Sequence, residues 1–256
     1  MNKTRLTFLG TGTSQGVPMI GCGCEVCRST DPRDQRLRAS VLVEHEGLKI
    51  LVDAGPDFRQ QMLRKSISHV DAILLTHNHK DHTGGLDDIR AFNYLEKRAT
   101  DIYCEKYVED SLRMEYSYAF EENKYPGAPE WRVHTIDERP FEIEGVKIVP
   151  IRGRHYKLPV LGFRFGNIAY CTDMNHIPEE EFEKLKGLEH FVINCVRRGH
   201  HISHFALEGA LKVAEKVGAR HTWLTHLSHQ LPRHEELTAE LPENVLPAFD
   251  GLTING

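Results

Sequence analysis

Apolar residues along the chain fall into short runs separated by polar and glycine-rich breaks. Ten runs have strand length: RLTFLGT (5–11), ASVLVEH (39–45), LKILVDAG (48–55), DAILLTH (71–77), TDIYCE (100–105), VKIVPIRG (146–153), LGFRFG (161–166), NIAYCTD (167–173), HFVINCV (190–196) and HTWLTH (221–226). Six stretches carry a helical pattern instead: PDFRQQMLRKS (56–66), LDDIRAFNYLEKR (86–98), YVEDSLRMEYSYAF (107–120), PEEEFEKLKG (178–187), FALEGALKVAEKVG (205–218) and RHEELTAEL (233–241). In the first of these, Pro56 stands at the start and Phe58, Met62 and Leu63 share a face. Two of the six end in glycine, a common helix stop. The strands come in hairpin-like groups with helices inserted at intervals, not in strict alternation. This predicts an α/β (α+β) domain over 1–256, with two mixed sheets packed together and helices outside. The stretch EENKYPGAPEW (121–131) reads as a surface loop.

Composition narrows the class. The chain has 256 residues, enough for one large core, with 40% hydrophobic and 27% charged residues. A net charge of −5 gives no footprint for gripping a nucleic-acid backbone, so no nucleic-acid partner is expected. No long apolar run precedes the first glycines, and none is long enough to span a membrane. A cytoplasmic protein with no membrane partner is the expectation.

The cysteines divide into two kinds. Cys104, Cys171 and Cys195 stand singly in apolar runs and read as small buried hydrophobes. Cys22, Cys24 and Cys27 crowd into GCGCEVC (21–27), which in a reducing compartment points to a metal and not to a disulfide. Three is one short of a tetrahedral zinc set.

Sixteen histidines are many to place on structural grounds. The densest group is THNHKDH (76–82), directly behind the apolar run DAILL. His77, His79, Asp81 and His82 are all good ligands for zinc, manganese or iron. A short turn at a strand end can aim the first two one way and the last two another, which suits two metals. A solvated polar turn would not need three imidazoles and a carboxylate there.

This His-x-His-x-Asp-His motif resembles that of the metallo-β-lactamase superfamily of binuclear hydrolases. LKILVDAG ends in Asp53 and Gly55, as the strand before the metal loop commonly does in that family. RGRHYKL offers His155, AYCTDMN offers Asp173 and TWLTHLSH offers His226, in the family's order. The resemblance implies an αββα sandwich. It assigns His77, His79 and His155 to one metal and Asp81, His82 and His226 to the other, with Asp173 bridging.

THLSH also supplies His229, three residues beyond His226. With Cys22, Cys24 and Cys27 it makes a closed Cys₃His set, expected to hold one structural Zn2+ and to brace His226 from behind. The order GTGTSQGVP, knuckle, His-x-His-x-Asp-His, LTHLSH and FDGLTI resembles the PhnP family of cyclic-phosphate phosphodiesterases. That resemblance implies two divalent ions (Mn2+ or Zn2+) in the active site and a homodimer. It also implies a small phosphodiester substrate such as 5-phosphoribosyl 1,2-cyclic phosphate, attacked by a metal-bridging hydroxide. Asp81 and Asp173 would then steer the water as well as bind metal, and His204 would protonate the leaving group. Arg154, Lys157 and His200 suit phosphate contact, or equally are solvated charges.

Rival readings are a transfer-RNA 3′-processing nuclease, a thioester hydrolase, and a non-catalytic metal-binding or sensory protein. The first would bring a long RNA-binding arm and a basic face, and neither is evident.

Overall fold

The computed structural model describes residues 4–256. Its strands are β1 (Arg5–Gly10), β2 (Ser40–His45), β3 (Leu48–Val52), β4 (Ala72–Leu74), β5 (Thr100–Cys104), β6 (Trp131–Thr135), β7 (Phe141–Ile143), β8 (Val146–His155), β9 (Leu158–Phe165), β10 (Ile168–Cys171), β11 (His190–Asn194), β12 (His221–Thr225), β13 (Val245–Pro247) and β14 (Thr253–Asn255). They form two seven-stranded sheets, ordered β14-β1-β2-β3-β4-β5-β6 and β13-β12-β11-β10-β9-β8-β7. In each sheet one half is antiparallel and the other, from β3 to β6 or from β10 to β13, is parallel.

Between the sheets lies a core of Leu6, Phe8, Val41, Val43, Ile50 and Val52 facing Phe163, Phe165, Tyr170 and Val192. Helices α1 (Phe58–Lys65), α2 (Lys80–Thr83), α3 (Arg90–Glu96), α4 (Lys106–Glu115), α5 (Leu207–Val217) and α6 (His234–Glu240) complete the fold. Phe58, Met62, Phe92, Val108 and Leu112 carry α1, α3 and α4 onto the outer face of the first sheet, over Leu42, Leu51, Ile73 and Ile102. Ala210, Ala214 and Leu237 carry α5 and α6 onto the second, over Phe191, Ile193 and Leu224. The layers are therefore αββα. Alternate residues of β2 serve different cores, Val41 and Val43 the inner one and Leu42 the outer one. A strand buried on both faces shows no polar alternation, which is why these strands read as continuous apolar runs.

All ten expected strands are present. The expected helix over 178–187 is a 3₁₀ turn, Glu179–Leu185. Its apolar pair, Phe182 and Leu185, sits three apart, the spacing that the tighter helix eclipses on one face. Leu63 is exposed and does not share the buried face of Phe58 and Met62. The loop expected over 121–131 ends one residue early. Trp131 opens β6, buried, with its ring edge-on to Tyr116 and Phe120 at 5.2 and 5.6 Å. Cys104, Cys171 and Cys195 are fully buried.

Candidate active site

The parallel halves of both sheets point their C-terminal ends at one edge of the sandwich, the usual place for ligands in such sheets. β4 runs into the turn holding His77 and His79, and then into the single-turn α2, which holds Asp81 and His82. Asp173 follows β10, His155 ends β8 and His226 follows β12. Three polar residues at these strand ends, Asp53, Asp173 and His226, have left-handed backbones with φ of 64°, 57° and 55°. Such strain costs on the order of 1–3 kcal/mol each and persists only where the surroundings enforce it. Gly55 lets the metal-loop backbone pass, since a Cβ there would lie 2.0 Å from the Asp81 carbonyl oxygen.

The side chains converge as two sets. Asp81, His82, Asp173 and His226 bring one potential ligand atom each to within 4.8 Å of the others. His77, His79 and His155 cluster alongside, with ring centroids 4.6, 4.9 and 5.7 Å apart. His204 enters this second region too, forming a tight trio with His155 and Asp173. Among the described residues, His77 Nε2, His82 Nε2, His204 Nδ1 and both nitrogens of His226 are buried without a hydrogen-bond partner. His82 Nε2 lies 3.2 Å from Asp173 and 3.3 Å from Asp81, and His226 Nε2 lies 3.1 Å from Asp173. Two ligands of one ion, each about 2.0–2.2 Å from it, would stand roughly that far apart. Buried polar atoms without partners are costly, and divalent ions held by these residues would satisfy them.

Other groups fix the ligands from behind. Asp53 takes His82 Nδ1 at 2.7 Å and Thr76 N at 2.9 Å, turning His82 Nε2 inward. Thr76 Oγ1 meets His77 Nδ1 at 2.9 Å. His155 Nδ1 donates to the Ser203 carbonyl at 2.9 Å, leaving Nε2 to face the site. Such outer contacts set tautomer and orientation.

The electrostatics agree with a ligand role. Burial would raise Asp81 and Asp173, but the neighbouring imidazoles His82 and His226 hold both carboxyls below the usual range. Burial lowers His77 and His155, keeping them neutral. His82 is opposed by burial, yet Asp173, Asp81 and Asp53 drive it up. The field that would protonate His82 is the field that favours a divalent cation. His204 is pushed down to about 3 by burial, with His226 next, so its ring is neutral in the free protein.

An open cavity of about 790 Å³ leads to the cluster, lined by Asn78, His79, His155, Lys157 and their neighbours. Of the three cationic residues suggested by the sequence, Lys157 lines the cavity. Arg154 does not line the cavity: strand alternation buries His155 and turns Arg154 outward. His200 is exposed in the turn before the site, its carbonyl accepting from Arg197 Nη2 at 2.6 Å, and it also lies outside the cavity.

A second cluster lies on the loops. His229 Nδ1 stands 3.3 Å from Cys22 Sγ and 3.5 Å from Cys24 Sγ, and Cys27 completes the four. These separations suit ligands of one tetrahedral zinc. Backbone N–H groups of Cys27 and Met19 point at the Cys24 and Cys27 sulfurs, both at 3.4 Å. The first of these bonds, followed by His229, lowers Cys24 to about 6, while burial raises Cys27 to about 11.

Nothing in the sequence signals the clasping roles of Thr76 and Ser203, which act through a hydroxyl and a backbone carbonyl on ligand nitrogens, contacts that leave no residue-type signature.

Comparison with known proteins places the chain among relatives. Residues 49–227 match the Beta-lactamase superfamily domain. A crystal structure described as a new diphosphatase from the PhnP family superposes with a TM-score of 0.93 at 39% identity, covering 100% of this chain and 98% of that one. Zn(2+)-bound PqqB from Methylobacterium extorquens shares the fold, with a TM-score of 0.77 at 17% identity over 98% and 99% of the two chains. An octanoyltransferase of Porphyromonas gingivalis is 42% identical over 97% of this chain, and the chain spans about half, 51%, of that protein's length. Among the described residues no helix is long and apolar enough to cross a membrane.

Proposed function

The chain belongs to the β-lactamase superfamily of metal-dependent hydrolases, and from that premise we propose that it hydrolyses a small phosphodiester. The observation that carries this reading is the set of unpartnered imidazole nitrogens gathered around Asp81 and Asp173, behind His79 and His155, which line an open cavity. His77, His79 and His155 would hold one divalent ion, and Asp81, His82 and His226 a second, with Asp173 shared; Mn2+ and Zn2+ both suit this N/O donor set. Such ions supply Lewis-acid charge and lower the pKa of water to near neutrality. Asp81 and Asp173 accept hydrogen bonds from the attacking water and orient it. Lys157 offers its ammonium to the phosphate. His204, neutral when the site is empty of substrate, gains a proton as the anionic ester raises its pKa, and delivers it to the departing sugar oxygen. The Cys₃His set would hold a separate structural zinc, with no position open for chemistry.

The PhnP-family likeness supports a cyclic ribose phosphodiester as substrate, and that relative's description as a diphosphatase extends the bond class to phosphoanhydrides. Octanoyl transfer is the competing reading. It calls for an activated thiol or amine beside the acyl group; burial pushes the Cys104 and Cys195 thiols up to about 12 and Cys171 higher still, and Cys24, whose thiol is lowered, sits in the Cys₃His set and does not line the cavity. We therefore assign octanoyl transfer to the part of that longer relative outside the match. Phosphorus NMR of a ribose cyclic phosphate with manganese-loaded protein tests the proposal. A monoester product that accumulates supports it. Rapid cleavage of precursor transfer RNA, or of an octanoyl thioester, with the diester untouched would replace it.

A further inference from the structure

The cavity beside the metal-ligand cluster is lined by two unlike kinds of residue. His79, His155 and Asn78 are polar; Tyr156, Leu158, Pro159 and Ile202 make a largely apolar lining. Tyr156 and Ile202 are 52% and 60% exposed. Their side chains do not belong to a loose loop. Asn175 Oδ1 accepts from Tyr156 N at 3.0 Å, and Asn175 Nδ2 donates to the Ile202 carbonyl at 2.8 Å. One amide thus clasps both segments of the rim. His155 ties the same segments together through the Ser203 carbonyl, and Tyr107 holds Pro159 through its carbonyl at 2.6 Å. Tyr156 keeps a left-handed backbone, φ 57°. Lys157 Nζ sits 5.4 Å from that ring's centroid.

A sugar phosphate is polar throughout and has no use for such a lining. A volume of 790 Å³ lies within the range of sites that take much larger ligands. An alkyl chain would be served by an enclosed tunnel, whereas this cavity is open and offers an aromatic face beside an ammonium. That combination fits a flat ring carried next to a phosphate.

We infer that Tyr156 and Ile202, clasped by Asn175, form a stacking subsite for a nucleobase attached to the phosphate ester that the neighbouring cluster cleaves. This rests on the hydrolase reading above and extends it from a bare ribose ester to nucleoside-bearing esters. Asn175 is a positioning residue, acting only through the rim.

Two esters with the same leaving group separate the ideas: thymidine 5′-p-nitrophenyl phosphate and methyl p-nitrophenyl phosphate, with manganese-loaded protein. The wild-type protein should prefer the thymidine ester. Tyr156→Ala should reduce that preference, as the ratio of kcat/KM values, by about tenfold, the scale of one base–aromatic stack, while Tyr156→Phe retains it. Calorimetry gives a readout free of turnover: thymidine 5′-monophosphate should bind Tyr156→Ala about tenfold more weakly than wild type. If both esters are cleaved and their ratio ignores Tyr156→Ala, the subsite is overturned and the hydrolase reading stands. If neither ester is cleaved, both fall. If Tyr156→Ala instead changes the mass in solution with the ratio unaltered, the rim is an interface between copies and the subsite is overturned.

Discussion

The protein carries two clusters of metal-ligand type that meet on one turn, and they are built by opposite means. The histidine–aspartate cluster hangs from the ends of core strands; its backbones are strained, and Asp53, Thr76 and Ser203 clasp its rings from outside. The cysteine cluster belongs to loops, with Cys22, Cys24 and His229 only half buried and no strand among its supports. The turn after β12 serves both, sending His226 into the first and His229 into the second. The difference teaches that orientation comes from the sheets in one case and from the ion itself in the other. The first cluster should be largely formed before metal arrives, and the second should depend on metal for its shape.

That contrast can be broken at several points. The largest effect is expected at His204. His204→Ala should slow a ribose diester by about 10²–10⁴-fold while barely affecting a p-nitrophenyl diester, whose leaving group needs no proton. Steady-state rates for the two substrates decide this, and equal slowing would reduce His204 to a phosphate-orienting group. Next comes Asp53→Asn, which tolerates the left-handed backbone but loses the charge behind His82. Activity or active-site metal affinity should drop by about 10–100-fold. Elemental analysis should show the cysteine-bound zinc unchanged; loss of that zinc would join the clusters into one unit.

Cys24→Ser probes the opposite side. It should remove one of the three proposed ions, lower Tm by about 10 °C and cost activity only a few-fold, through slackened support of His226. Disappearance of all three ions from a folded variant would refute the partition of ligands. The smallest effect concerns His234, which lies beside Arg36, 3.5 Å away, packs edge-on to Phe249 and donates its backbone N–H to Asp34 at 2.7 Å. Burial, then Arg36, lowers its pKa from 6.5 to about 4. The unfolded chain therefore binds the extra proton between those values, so stability falls as pH drops from 6.5 towards 4. Thermal melts of wild type should show this slope, and His234→Phe should flatten it; an unchanged slope would place the titration elsewhere.

Legibility in the sequence followed burial. The ten strands read from apolar runs are the interior strands of the two sheets. The four that escaped notice, β6, β7, β13 and β14, are the four edges. Edge strands are short and half-solvated, so they lack a continuous apolar signature. In the site, ligands were visible because imidazole, carboxylate and thiol name their chemistry wherever they occur. Arg154 and His200 were ambiguous in sequence because a cationic side chain looks the same whether it faces a cavity or water. Asn175 was invisible for the converse reason: its part is played through two backbone groups, one at Tyr156 and one at Ile202, far apart along the chain.

The first sheet also sets a timetable for synthesis. β1 is hydrogen-bonded on one side to β2 and on the other to β14, so Arg5–Thr7 meet residues 253–255. Asp250 pins the same junction, accepting from Thr11 N and Leu37 N at 2.9 and 2.8 Å. At roughly 5–20 residues per second, a ribosome needs about 12–50 s to travel from the first strand to the last. Throughout that interval one edge of β1 stands open on the nascent chain, a template for a neighbouring copy. Translation speed and chaperone cover would then govern the yield of native protein, even with every mature contact intact.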